Sequence, residues 1–151
     1  MKYFTNEFYD SIDNAEDRRD LYSLQCKMYW DDFDSCSSRL PKPFVKYYKK
    51  FGFHDDILNN LQLVKRRTKN RVHIDVITQF NNAGRTYEIH YYDVIKFESS
   101  IDGNHYAEIG DYLDGEILSV DDHYLSHEFG FYSDPGKILI HFQKLSFKEI
   151  T

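Results

Sequence analysis

Histidines paired with carboxylates are the residues of this chain whose spacing could do chemistry. His54-Asp55-Asp56 places an imidazole beside a carboxylate, two groups that a hydrolytic metal ion can use as ligands. Such a site needs further His and Asp residues from other elements, and the remaining histidines fall in a predicted sheet. His54 and Asp55 therefore fit equally a junction turn in which a carboxylate satisfies main-chain amides. A second set comes from a predicted hairpin. If Phe80 and Arg85 flank a four-residue turn, Asp75 faces His90 and His73 faces Tyr92. Alternation then puts His73, Asp75, His90 and Tyr92 on one face. Two imidazoles and a carboxylate make a plausible divalent-metal set, and the competing expectation is a polar, solvent-facing patch opposite Val72, Ile74 and Val76. A register slip of one residue would dissolve the set. His123, His127 and His141 are scattered, and His127 alternates with Leu125, Phe129 and Phe131, so it is expected to point inward.

Other catalytic patterns are absent from the text. There is no Gly-x-Ser-x-Gly elbow and no glycine-rich phosphate loop. Acid/base pairs can still be assembled in space. Cys26 and Cys36 would lie about 15 Å apart on one helix, beyond the reach of a disulfide, and two reduced thiols are expected. Without a paired Cys-x-x-Cys a structural zinc site has no support, and no cofactor is expected. The one basic run, Lys65-Arg66-Arg67-Thr68-Lys69-Asn70-Arg71, lacks interleaved aromatics and is expected to form a solvated hairpin tip rather than a nucleic-acid site.

The elements that must position these residues divide at residue 52. Residues 1–52 have helical periodicity. Thr5 can cap a segment carrying Phe8, Tyr9 and Ile12, and Asn14 can open a longer helix. In that helix Leu21, Leu24 and Met28 form one stripe and Tyr22, Cys26, Tyr29 and Phe33 an adjoining one. So wide an apolar face predicts more than one neighbour. Ser35–Ser38 and Pro41 end it, and a last short helix carries Phe44 to Phe51, stopped by Gly52. From residue 53 to 151 the period is two. Asn81–Gly84, Asp102-Gly103-Asn104 and Asp134-Pro135-Gly136 separate about seven strands. Short connections require antiparallel pairing. The expectation is a single α+β domain, 1–151, with N-terminal helices packed on a curved antiparallel sheet.

Composition narrows the partner. The chain has 151 residues, enough for one core, with 13 Tyr, 12 Phe and a net charge of −6. Residues 72–151 carry 14 acidic against 5 basic side chains. That body disfavours nucleic acid, whose binding rests on phosphate neutralisation, and suits a basic protein partner. No apolar run approaches the ~20 residues of a membrane helix and the N-terminus has no signal-peptide core, so a cytoplasmic protein without membrane contact is expected.

The order of landmarks carries one resemblance. The opening Met1-Lys2-Tyr3-Phe4-Thr5, the helical first third, the Leu40-Pro41 turn and Phe53-His54-Asp55 together resemble a family of small uncharacterised bacterial proteins, mostly Gram-positive. That family has a Leu-His-Asp at this junction, where Phe53 stands here. It implies no activity. The portion from Phe53 to Ile150 also looks like immunity proteins of bacterial toxin systems, which implies a non-enzymatic domain that binds and blocks a toxin, here a basic one. Tyr92, Tyr124 and Tyr132 are the candidates for a binding surface. The alternatives are a metal-dependent hydrolase using His73, Asp75 and His90 or His54 and Asp55, and a small-ligand binder with its ligand between sheet and helices.

Overall fold

The computed structural model describes residues 1–13, 16–101, 112–131 and 136–150. Three helices come first: α1 (Asn6–Asp13), α2 (Arg18–Cys36) and α3 (Lys42–Phe51), with a 3-10 turn at Ser37–Arg39. Thr5 caps α1 by accepting the Phe8 amide at 3.1 Å. Pro41 stands at the N-cap of α3, and Gly52 ends that helix at φ 63°, donating its amide to the Tyr48 carbonyl. The expected cap at Asn14 lies outside the described residues.

Among the described residues eight antiparallel strands follow: β1 (Ile57–Arg67), β2 (Val72–Asn82), β3 (Arg85–Tyr92), β4 (Lys96–Ser99), β5 (Tyr112–Ser119), β6 (Leu125–Phe131), β7 (Lys137–Phe142) and β8 (Lys144–Glu149). The α+β class is as the sequence indicates. The curvature, however, is a corner that divides the strands into two sheets, ordered β1-β2-β3-β8 and β4-β7-β6-β5. One kinked ribbon crosses it. β3 pairs with β8 in the first sheet, and their continuations β4 and β7 pair in the second. Asp93 turns the chain at the corner with φ 54°, and the Gln143 amide reaches the Tyr92 carbonyl at 3.1 Å.

The first hairpin corrects the assumed register. Its turn is the two residues Ala83-Gly84, both at positive φ, so Phe80 pairs with Tyr87 and Ile77 with His90. The slip is two residues, not one, so every side chain keeps its face.

The core lies between the two sheets and under the helices. Phe80 and Phe129 approach edge to face with centroids 5.9 Å apart, as do Tyr91 and Phe142 at 5.1 Å. On the helical side, the buried Tyr29 and Tyr48 hydroxyls meet at 2.7 Å. Tyr48 donates to the Gly115 carbonyl at 2.8 Å and Tyr29 accepts the Ile117 amide at 3.1 Å, which pins α2 and α3 to β5. The opening segment is latched there too. The Glu116 carboxylate, 1% exposed, accepts the amides of Lys2 at 2.6 Å, Tyr3 at 2.7 Å and Phe4 at 2.6 Å. Phe4 packs on Tyr29 with centroids 5.4 Å apart.

His127 points inward as expected, fully buried, with Nδ1 2.8 Å from the Tyr91 hydroxyl. Burial pushes its pKa from 6.5 down to about 3. Protonation therefore favours the unfolded chain between those values, and stability falls as pH drops through that window by about 1.4 kcal/mol per pH unit. Urea unfolding at a series of pH values checks this: His127→Gln should flatten the acid slope by about one proton. An unchanged slope would refute the assignment.

Candidate functional site

The hairpin faces bring the first candidate set together. Asp75 and His90 sit diagonally across β2 and β3, with His90 Nε2 3.3 Å from Asp75 Oδ2. His73 Nδ1 contacts Asp93 Oδ1. The group that organises them is Arg66, from the paired strand β1. Its Nε donates to Asp75 Oδ2 at 2.8 Å, and its Nη2 donates to Asp75 Oδ1 at 3.2 Å and to Asp93 Oδ1 at 3.1 Å. The Asp93 amide adds a bond to Asp75 Oδ1 at 3.0 Å.

Both oxygens of Asp75 are thus held by a guanidinium fork. Burial alone would raise the Asp75 pKa, but the bonds from Arg66, the Asp93 amide and His90 outweigh it and hold the carboxyl below its ordinary 3.8. Asp75 is buried, whereas Val72 and Ile74 on the opposite face are 51% and 38% exposed. At this end of the sheet the expected inside and outside are exchanged: Arg66 lies over Asp75, while Val72 and Ile74 stay open. Arg66, whose side chain is 37% exposed, is therefore tied to the buried Asp75 rather than standing free in a basic tip. Thr68 and Arg71 close that tip through the Thr68 amide and the Arg71 carbonyl, 2.8 Å apart. Among the described residues, no group of three or more His, Cys, Asp or Glu is placed to hold a metal ion.

His54 and Asp55 are where the helix-to-sheet turn was expected. Phe53 and Asp55 have φ 59° and 66°. The His54 ring lies 3.1 Å from the Asp55 carboxylate, and both are exposed. The buried member of the run is Asp56, which accepts the Tyr47 hydroxyl at 2.9 Å and also bonds Asn82. Burial raises the Asp56 pKa despite those two donors. His54 also borders a half-open hollow of about 260 Å³ under α2 and α3, with Cys26, Trp30 and Asp114. Burial raises the pKa of the Cys26 thiol and of Asp114. A thiol held protonated is a poor nucleophile.

No family model matches the chain, and no curated protein resembles it significantly. Cys26 and Cys36 are free thiols. No helix among the described residues is long and apolar enough to cross a membrane.

Of the candidate tyrosines, Tyr92 stacks on His90 with centroids 3.9 Å apart and lies under the Lys144 ammonium at 5.0 Å. Tyr124 borders a shallow hollow with Arg71, His73 and Ile95. Tyr132 lies outside the described residues. The apolar surface that stands out is elsewhere, on α2. The Tyr29–Phe33–Cys36 side of that helix is buried, but the stripe expected to meet a second neighbour is open, with Leu21 37%, Leu24 56% and Met28 48% exposed. At 100° per residue, Asp20 and Asp31 run along one side of it with Lys27 beside them, and all three are exposed. Sequence periodicity located the stripe. It could not say that the stripe stays open among the described residues.

Proposed function

We propose that this protein is a non-enzymatic binding domain for a basic protein partner, acting by occupying that partner as an immunity protein occupies its toxin. The observation that carries the reading is the open stripe Leu21–Leu24–Met28, with Asp20 and Asp31 along one side of it. Apolar side chains aligned along a helix anchor a complex when they fill a partner's groove, and the net charge of −6 speeds encounter with a basic partner. The raised pKa of the Cys26 thiol and the hold of Arg66 on both oxygens of Asp75 agree with a role in binding.

The test is capture from native cell extract on wild-type protein and on the variant Leu21→Ser, Leu24→Ser, Met28→Ser. These positions are solvent-facing, so the variant should keep the wild-type melting temperature. A basic partner held at one-to-one stoichiometry by wild type should lose at least tenfold in affinity, about 1.4 kcal/mol, for the variant. Equal retention by both proteins, or an acidic partner, would refute the proposal.

A further inference from the structure

The surface between α3, β3 and β8 has the opposite character. A hollow of about 370 Å³ is floored there by Tyr47, Phe51, Tyr87 and Phe147. A second of about 400 Å³ adjoins it and shares Tyr47, Phe51 and Tyr87. The rings form a set floor: Tyr87 and Phe147 stack with planes 11° apart, Tyr47 lies 4.5 Å from Tyr87 and 5.1 Å from Phe51, and the Tyr47 hydroxyl is tied to Asp56. Phe51 is 47% exposed at the mouth.

Four cations rim this floor, Lys46, Lys50, Arg85 and Lys148, against the single carboxylate of Glu149. Only part of their charge is used internally. Lys148 pairs with Glu88 at 2.9 Å, while Arg85 reaches Glu149 at 3.9 Å, the outer limit of a pair. Lys50 covers the Phe51 ring at 4.7 Å. Lys46 pairs with no carboxylate among the described residues. On a chain of net charge −6, a pocket with four cations and one anion is a local reversal of sign.

We infer that this groove binds an acidic peptide segment of another protein, seating one aromatic or large aliphatic side chain on the ring floor with Asp or Glu residues against the four cations. Apolar burial supplies affinity and the rim supplies selection. The observations favour a short peptide over a nucleic acid. The other basic run, Lys65–Arg71, lies at the far end of β2, about 30 Å away at 3.3 Å per residue, so no continuous cationic track follows a phosphate backbone. The groove is on different elements from the α2 stripe, so the two surfaces can be occupied independently.

The experiment is selection of a random dodecapeptide display library on the full chain, followed by titration of the enriched peptide in synthetic form. Enriched sequences should concentrate Asp and Glu around one Phe, Tyr, Trp or Leu, and binding should weaken as salt is raised. Lys46→Glu combined with Arg85→Glu should cost at least tenfold in affinity, and so should Phe51→Ser alone. All three positions are exposed, so melting temperatures should hold. The α2 triple variant should bind the peptide as wild type does, which separates this groove from the proposed function. Enrichment of basic or neutral peptides, no enrichment, undiminished binding by the charge-reversed variant, or displacement of the peptide by a lower concentration of oligothymidylate would each overturn the inference.

Discussion

Glu116→Ala should lower unfolding stability by about 3–5 kcal/mol and the melting temperature by roughly 10 °C or more. One side chain organises the start of the chain: its carboxylate takes the amides of Lys2, Tyr3 and Phe4 at 2.6–2.7 Å, and the Tyr3 and Phe4 bonds are buried. Main-chain donors left dry without a partner cost about 1–3 kcal/mol each. The chain can recover part of that only by releasing residues 2–4 to water, which withdraws Tyr3 and Phe4 from the core. Glu116→Gln keeps one acceptor oxygen but turns an NH₂ toward an amide donor, so its loss should be intermediate. Thermal melts give the ranking. Hydrogen exchange gives the location, because amides 2–4 should exchange far faster in the alanine variant while β6 and β7 stay protected. Unchanged exchange at Tyr3 and Phe4 would show that something other than Glu116 holds the segment.

The second large effect belongs to Arg66→Ala, expected to lower the melting temperature by roughly 6–12 °C. Asp75 is 1% exposed, and removing the guanidinium leaves its charge in the protein without its main partner. The pH dependence should change as well. In the wild type Asp75 titrates below 3.8, so its contribution is complete above that pH and is lost only as pH falls through the depressed value. Without Arg66, burial dominates, the Asp75 pKa rises, and acid unfolding should begin at higher pH. Arg66→Lys should rescue only part, since an ammonium cannot fork across Asp75 and Asp93 together. Adding Asp75→Asn to Arg66→Ala should restore stability, because the charge that needed compensation is gone. A double variant as unstable as Arg66→Ala alone would refute this account.

These two residues mark how legible the molecule was. The chain's period changes near residue 53, and α1, α2, α3 and the β2–β3 hairpin fall where spacing and turn residues place them. Even the wrong register kept His73, Asp75, His90 and Tyr92 on one face, because alternation depends on parity and the error was two residues. What spacing could not supply was the third strand. Arg66 stood in a basic run that suggests a solvated tip, yet the pairing of Arg66 with His73 carries it over Asp75. Glu116 gave no signal at all, since its partners are main-chain amides more than 100 residues away.

The residues by themselves determined the α+β class, the antiparallel pairing, the faces of the hairpin and the two stripes of α2, because helix and strand periods are local properties of the backbone. Only the tertiary structure decided which stripe is covered, that the sheet breaks into two at Asp93, and that Asp75 is buried while Val72 and Ile74 are open. It also gathered Lys46, Arg85 and Lys148 from α3, β3 and β8 around one aromatic floor. Burial and charge at a surface depend on what arrives from distant parts of the chain, and that information is not carried by the spacing of neighbours.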